Sequence, residues 1–328
     1  MAAPLSSNPD IDVELSNLYE GIEMRRHYVH SEKAGASSAV FGPRVSRRDF
    51  TAAVGAAMCA PLVGTSARAQ DSALPLVNLG LEHLDILVPD TAESARFYKR
   101  VLDTALHQQP FRGSIRYFIL LGELPEDRQV GYIAIGAAGD RPVQIGHYCA
   151  LAETYDRAGV AAALEAAGYP AAGGGFGMIP DPDGIELQLF TLPAGLVTAA
   201  VPSDLPVESN GLVRPRGMDH VLLQVANIEQ SLEYYRFIYG TGLETVDSAN
   251  PERVWFQLES DTRLGLEPVP PGEAPRIVRF GIKVAPFDRA TVTDGLRAIG
   301  AEILSVAPES DAIRFQDNYG ITLEVVAD

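Results

Sequence analysis

Two histidines occupy matching positions in two similar stretches of the chain, and both could do metal chemistry. His83 lies in LEHLDILVPDTAESARFYKRVL, and His220 lies 137 residues later in MDHVLLQVANIEQSLEYYRFIY. A neutral imidazole is a common ligand of divalent first-row metals. A lone histidine on a strand is more often a satisfied, partly buried residue. The elements around each histidine must therefore decide whether it is a metal ligand or a structural residue.

Each histidine belongs to a predicted strand that is followed by a helix. Alternation along the first strand places His83, Asp85 and Leu87 on one face, so Asp85 could orient His83. Asp90 is predicted to cap the following helix, with Glu93 as its capping-box partner. The residues that could bind a metal would thus be carried by a strand at the start of a folding unit.

The second stretch repeats the first at a constant offset. Four pairs share the separation of 137 residues: His83 and His220, Ser94 and Ser231, Phe97 and Tyr234, Tyr98 and Tyr235. Further along, DRAGVAAALEAAG lines up with DRATVTDGLRAIG at an offset of 132. Agreement over such distances predicts an internal duplication.

The order of elements divides the chain into two repeats, at residues 78–192 and 216–328. The linker at 193–215 carries four prolines and little periodicity, which is typical of a domain boundary. Each repeat reads as strand, helix and three strands, twice over. The predicted class is therefore α+β, with helices outside mixed or antiparallel sheets.

Residues 1–69 predict an N-terminal extension that ends in an export signal. The segment SRRDF, which contains Arg47 and Arg48, precedes an apolar Ala/Gly-rich run and a small-residue cleavage site at Ala67 to Ala69. This order resembles a twin-arginine signal, and the apolar run is shorter than the roughly 20 residues of a membrane span. We expect a periplasmic or secreted protein, exported after folding with any cofactor already bound.

The balance of charges limits the classes of partner. The net charge is −17, which disfavours nucleic acids and anionic membrane surfaces. After residue 69 the chain has one cysteine, Cys149, so it can form no internal disulfide there. The expected partner is a small molecule, and a homodimer is left open.

Several motifs together resemble the vicinal oxygen chelate superfamily. They are the strand histidine, the S-x-x-F/Y-Y helix that follows it and the late DPDG turn at 181–184. That superfamily includes glyoxalase I, extradiol ring-cleaving dioxygenases and bleomycin-resistance proteins. The resemblance covers nearly all of the chain after residue 69. It implies tandem domains, each of two βαβββ modules that form a cup-shaped mixed sheet with metal ligands on its inner face.

The resemblance implies a metal site in the first repeat. Its ligands would be His83, His147 and Gln188, which stands four residues after Gly184 where a glutamate is usual. Glu186 is the alternative third ligand, if the strand slips or the metal sits lower. Two imidazoles and a carboxylate suit Fe(II). Zn, Ni and Mn are alternatives, as is a protein without metal.

The second repeat departs further from the same pattern. The resemblance places His220, Glu267 and Glu324 at ligand positions, but Arg279 stands where the first repeat has His147. A guanidinium cannot ligate a metal; it can pair with a carboxylate or bind a substrate carboxylate. We therefore expect the first cup to bind the metal and the second to be degenerate, with a second metal site at His220, Glu267 and Glu324 left open as the alternative.

Three functions are consistent with these residues. The first, which we favour, is an exported metal-dependent enzyme of extradiol dioxygenase type that acts on a small oxygenated molecule. The second is a glyoxalase-like or epimerase-like lyase or isomerase, in which a divalent metal stabilises an enediolate. The third is a metal-free protein that binds a small molecule, as bleomycin-resistance proteins do.

Overall fold

The computed structural model describes most of the chain after the predicted signal. The described residues are 74, 76–122, 131–170, 177–191, 200–207, 210–306 and 311–328. The predicted extension and export signal at 1–69, with Arg47 and Arg48, lie outside the described residues. Within the described ranges, no helix has both the length and the apolarity needed to cross a membrane.

The first repeat folds into an eight-stranded mixed sheet with two helices in its described part. The strands follow the order β6-β7-β5-β1-β4-β3-β2-β8, with β1 parallel to β4 and antiparallel to β5. The elements are β1 (Leu76–Val88), α1 (Thr91–Val101), β2 (Leu106–Phe111), β3 (Ser114–Leu120), β4 (Tyr132–Ala137), β5 (Gln144–Tyr155), α2 (Arg157–Ala166), β6 (Met178–Pro180), β7 (Glu186–Thr191) and β8 (Val201–Pro202). Strand β8 comes from the predicted linker and extends the sheet beside β2.

The second repeat builds a matching sheet. Its order is β10-β11-β12-β9-β13-β16-β15-β14, with β9 parallel to β12 and antiparallel to β13. The elements are β9 (Arg214–Val225), α3 (Ile228–Tyr239), β10 (Glu244–Val246), β11 (Val254–Gln257), β12 (Arg263–Pro268), β13 (Arg276–Ala285), α4 (Arg289–Ala298), β14 (Glu302–Val306), β15 (Ala312–Gln316) and β16 (Thr322–Ala327). The predicted α+β class with two mixed sheets is confirmed.

The helices begin where side chains cap them. The Asp90 carboxylate accepts hydrogen bonds from the backbone N–H groups of Ala92 and Glu93, as predicted for the start of α1. Asp156, Asn227 and Asp288 cap the other three described helices in the same way. Each helix buries one apolar face; in α1 this face includes Phe97 and Tyr98. Capped helices packed by one face leave the opposite face of the sheet free for a site.

The helix motif and the turn motif of the two repeats bind each other reciprocally. The hydroxyl of Tyr98 on α1 donates to Asp317 at 3.1 Å, and the hydroxyl of Tyr235 on α3 donates to Asp181 at 2.9 Å. All four side chains are buried. Tyr319, beside Asp317, also donates to Glu93 on α1 at 2.7 Å. The motifs that reveal the duplication therefore hold the two repeats together.

Candidate metal centre

A β-bulge in β1 puts two consecutive side chains on one side of the strand. Leu81 pairs with Ala150 and His83 with Cys149, which are consecutive on β5, so Glu82 is the extra residue of the bulge. A bulge re-aims the side chain of the extra residue. The Glu82 carboxylate in consequence contacts Nδ1 of His83, although strict alternation would separate the two side chains.

Two atoms from other residues converge on Nε2, on the other side of the His83 ring. Nε2 of His83 lies 2.9 Å from Oε1 of Gln188 and 3.4 Å from Nε2 of His147. All three side chains are buried. Ligands held about 2.1 Å from a cation lie about 3.0 Å apart in octahedral and about 3.4 Å apart in tetrahedral geometry. These residues therefore fit as neighbouring ligands of one divalent cation.

A carboxylate lies on the far side of each ring. Glu82 faces Nδ1 of His83, and Oδ2 of Asp85 lies 3.8 Å from Nδ1 of His147. A carboxylate at Nδ1 keeps the proton there and leaves a lone pair on Nε2. Glu82 in this way leaves the lone pair of His83 Nε2 facing Gln188 and His147, an arrangement that a cation stabilises. Asp85 was expected beside His83, whereas the structure places it at His147.

The protonation state of His147 also suits a ligand. Burial, aided by His83 and the Arg116 guanidinium, holds the pKa of His147 well below its usual range. An imidazole must be neutral to bind a metal, so this ring is ready near neutral pH. Arg116 is itself engaged, because its Nη2 pairs with Asp85 Oδ1 at 3.1 Å.

Aromatic rings hold His83 in place. Tyr132, its neighbour on β4, stacks on the imidazole with centroids 4.3 Å apart and an angle of 11°. The ring centroid of Phe190 lies 6.2 Å from that of His83. Sequence reasoning missed both Tyr132 and Glu82. A signal for Glu82 does exist, since an acidic residue precedes the histidine in both repeats, as Glu82 and as Asp219.

A second group of potential ligands lies on the Nδ1 side of His83. The ligand atoms of Glu82, His83 and Cys149 all lie within 4.8 Å of one another, and all three residues are buried. Burial and the neighbouring Glu82 raise the pKa of the Cys149 thiol well above its usual value, which disfavours the thiolate that a metal needs. We therefore interpret Cys149 as a core residue and Glu82 as the group that orients His83.

A polar cavity of about 330 Å³ opens beside His147. Its walls include Asp85 and Glu186 from the first repeat and Arg276 and Ile277 from the second, but neither Glu82 nor Cys149. Glu186 pairs with His147 across the β5–β7 ladder and is exposed. Partial burial of its carboxyl against the cavity wall nevertheless raises the pKa of Glu186, partly opposed by the charge of Arg141. Of the two candidate third ligands, the structure brings Gln188 to the histidines and leaves Glu186 on the cavity wall.

The second repeat presents its histidine in the same way. Met218 pairs with Ile282 and His220 with Gly281, so Asp219 is the extra residue of a matching bulge. Oδ2 of Asp219 lies 2.6 Å from Nδ1 of His220. On the other side, Nε2 of His220 is 3.7 Å from Oε2 of Glu324. Two of the predicted second-cup residues, His220 and Glu324, are therefore neighbours.

Arg279 fills the place that His147 takes in the first cup. Its Nε lies 3.0 Å from Oε1 of Glu324, and Nε of Arg314 lies 2.6 Å from the same oxygen. Burial lowers the pKa of Arg279 to about 10, so the guanidinium stays charged at neutral pH. Burial alone would raise the pKa of Glu324. The charges of His220, Arg279 and Arg314 outweigh burial and hold this pKa below its usual value. These residues do not fit a metal, because a fixed cation already neutralises the carboxylate.

Glu267, the remaining predicted second-cup ligand, belongs to another ion pair. Its Oε2 accepts from Nη2 and Nε of Arg253 at 2.7 and 2.9 Å. Gln224 donates to its other oxygen at 3.1 Å. The guanidinium of Arg253 also reaches Asp247 at 3.1 Å. Arg279 therefore pairs with Glu324, one of its two predicted partners. The other, Glu267, pairs with Arg253 instead.

Solved structures share this architecture. No family model matches the sequence, and the search of curated proteins gives no match. The chain shares its fold with solved structures of dioxygenases and of a glyoxalase. A catechol 2,3-dioxygenase matches with a TM-score of 0.56 and 15% identity, over 76% of this chain and 88% of that chain. An extradiol ring-cleaving dioxygenase from B. fuscum matches with a TM-score of 0.57 and 15% identity, over 78% and 73%.

A Mn(II)-bound glyoxalase from Novosphingobium aromaticivorans matches with a TM-score of 0.54 and 14% identity, over 77% of this chain and 83% of that chain. At these identities the likeness concerns the fold. The fold that the motifs imply is confirmed, and function has to be argued from the residues of the cups.

Proposed function

We propose that this protein is a divalent-metal-dependent enzyme whose metal is held in the first cup by His83, His147 and Gln188. The observation that carries the proposal is the convergence on His83 Nε2 of Gln188 Oε1, at 2.9 Å, and of His147 Nε2, at 3.4 Å. Carboxylates on the Nδ1 sides of both rings support it, as do the neighbouring cavity and the low pKa of His147.

The reaction we propose is cleavage of a small dihydroxylated ring, of extradiol dioxygenase type. When bound, Fe(II) would supply Lewis acidity and a centre for dioxygen. The chain would supply the rest. Glu82 keeps the proton of His83 on Nδ1, and Tyr132 fixes the His83 ring by stacking. Asp85 places a carboxylate 3.8 Å from Nδ1 of His147. The cavity of about 330 Å³ lies at the lower end of small-molecule pockets, which favours a substrate of about one ring.

A lyase or isomerase reaction is the second candidate, favoured by two residues. Gln188 is a neutral ligand, so the site lacks the carboxylate that completes a facial triad for Fe(II) oxygenases. A less neutralised cation is well suited to polarise a substrate oxygen. Glu186, with its raised pKa on the cavity wall, is placed to act as a general base.

One set of measurements distinguishes these functions. The purified protein would be loaded without oxygen with Fe(II), Mn(II), Zn(II) or Ni(II), and its metal content measured after removal of free ions. Dioxygen uptake with a catechol would support ring cleavage. Exchange of a carbon-bound proton of an α-hydroxy ketone with deuterated solvent, without dioxygen uptake, would support the isomerase reaction. A protein that holds none of these metals would instead be a metal-free small-molecule binder.

We also propose that the protein is exported by the twin-arginine route, on the basis of Arg47, Arg48 and the apolar run that follows them. Replacing both arginines with lysine should leave the precursor in the cytoplasm. Export that continues unchanged would refute this assignment.

A further inference from the structure

A turn of the second repeat binds the strand that carries His83. Residues 259–262, which join β11 to β12, lie against residues 79–81 of β1. The Ser260 hydroxyl donates to the carbonyl of Leu79 at 2.9 Å, and the Thr262 hydroxyl accepts from the N–H of Leu81 at 2.9 Å. Both contacts span 181 residues of sequence. They join the second repeat to the residues just before Glu82 and His83.

Gly80 shows how closely the turn approaches the strand. Its φ is +99°, a conformation that favours glycine, and a Cβ at this position would lie 2.3 Å from the carbonyl oxygen of Glu259. The same Cβ would lie 2.9 Å from the Thr262 hydroxyl. A side chain at residue 80 would therefore force the turn and the strand apart.

The Thr262 hydroxyl is itself held in a fixed direction. It donates to the carbonyl of Glu259 at 2.8 Å, and Thr262 is 3% exposed. Its lone pair is thereby left for the N–H of Leu81, immediately before the bulge. Because Glu82 is the extra residue of that bulge, the direction of its side chain depends on how the preceding peptide is held.

We propose that Thr262 is a positioning residue for the first cup. Its hydroxyl holds the Leu81 peptide, which fixes the bulge, brings Glu82 to Nδ1 of His83 and aims Nε2 at Gln188 and His147. The consequence for metal binding rests on the proposed function, whereas the tautomer of His83 does not. The second repeat, whose own cup is degenerate, thus helps to shape the site in the first cup.

The test compares Thr262→Val, which keeps the shape and removes the hydroxyl, with Thr262→Ser, which keeps the hydroxyl. The ring ¹⁵N resonances of His83 in the metal-free protein report its tautomer, and their loss in His83→Gln identifies them. Wild type and Thr262→Ser should show the Nδ1–H form, and Thr262→Val a mixture of both forms. Thr293→Val, a matched change of a buried threonine on α4, should leave the tautomer unchanged.

Metal binding provides the second readout. Thr262→Val should weaken the affinity for the metal that wild type binds by about 10-fold or more, as loss of an outer-shell contact does. Thr262→Ser should restore it. If Thr262→Val does not fold, Ser260→Ala removes the adjacent contact to Leu79 and should shift the tautomer in the same direction by less.

The outcomes separate this inference from the proposed function. A pure Nδ1–H form in Thr262→Val would overturn the positioning role, as would equal effects of the valine and serine variants. A shifted tautomer in a protein that binds no metal even as wild type would support the positioning role and refute the proposed function.

Discussion

His83 and His220 are presented alike, yet the space in front of them is filled in opposite ways. Each follows an acidic residue in a β-bulge, and each has that carboxylate at Nδ1. In the first cup Nε2 faces two further neutral acceptors, from His147 and Gln188. In the second cup it faces Glu324, whose charge is taken up by Arg279.

We infer from this difference that one substitution decides whether a duplicated cup needs a metal. Converging neutral acceptors are stabilised by a cation that comes from solution. A guanidinium on β13 supplies positive charge from the chain itself, and Arg314 adds a second. A buried ion pair tolerates the loss of neither partner, because the remaining charge stays desolvated. The second cup is thereby fixed as a structural unit.

The largest expected effect is loss of metal from the first cup. His147→Ala removes one of three protein ligands and should lower metal affinity by roughly 100-fold or more, beyond the effect of an outer-shell change. Metal per protein, measured by elemental analysis, should fall from about one equivalent to near zero. His220→Ala is the matched control in the second cup and should leave the content unchanged. The reverse result would exchange the roles of the two cups.

The comparison can be tested further by giving the second cup the ligand it lacks. Arg279→His removes the buried one of the two guanidinium groups at Glu324 and leaves that of Arg314. It places an imidazole beside His220 and Glu324, which completes the facial set of two imidazoles and one carboxylate. Metal content should rise from about one to about two equivalents. Arg279→Gln, which adds no imidazole, should stay at one. If the histidine variant also stays at one, Arg279 is not what keeps metal out.

Breaking the buried ion pair between Arg279 and Glu324 should destabilise the second repeat. Glu324→Gln leaves the buried Arg279 without its anion, and removing one partner of a buried pair costs about 3 kcal/mol. Urea unfolding at neutral pH, monitored by far-UV circular dichroism, would measure the loss. Asp294→Asn, in the exposed pair with Arg297, should have almost no effect. Equal stabilities for the Glu324 and Asp294 variants would contradict a structural role for the pair.

A smaller effect should appear as a pH dependence. Burial would raise the pKa of Asp219, but the hydrogen bond and charge of His220, together with Arg263, outweigh it and lower the pKa to about 2. Because the folded pKa lies below the unfolded value, the carboxylate contributes about 2 kcal/mol above pH ~4 and loses this between pH ~4 and ~2. The difference in stability between wild type and Asp219→Asn should shrink over that range.

The control for the pH experiment is Asp103→Asn, in the exposed pair with Arg214. Its difference from wild type should be small at every pH. A stability difference for Asp219→Asn that stayed constant from pH 6 to pH 3 would show that the carboxylate acts through shape and not through its charge.

Residue types and their spacing were enough to predict the duplication, the fold class and the candidate ligands of each cup. A fixed offset of 137 residues places His83 and His220 in equivalent strands, and short-range capping by Asp90 sets the start of α1. Arg279 could be excluded as a ligand because a guanidinium has no lone pair to offer a metal. These conclusions depend on residue type and local spacing, which a single chain displays directly.

The assembly of the site depends on strand pairing and long-range contacts, which the spacing of residues does not reveal. Alternation along β7 leaves Glu186 and Gln188 on the same face, and the pairing with β5 selects Gln188 by placing it opposite Cys149, beside His83. Strict alternation also separates Glu82 from His83, and a bulge brings them together. That bulge adjoins a contact with Thr262, 181 residues away along the chain. A pattern of period two cannot encode such a contact, because the partner that holds the backbone belongs to the other repeat.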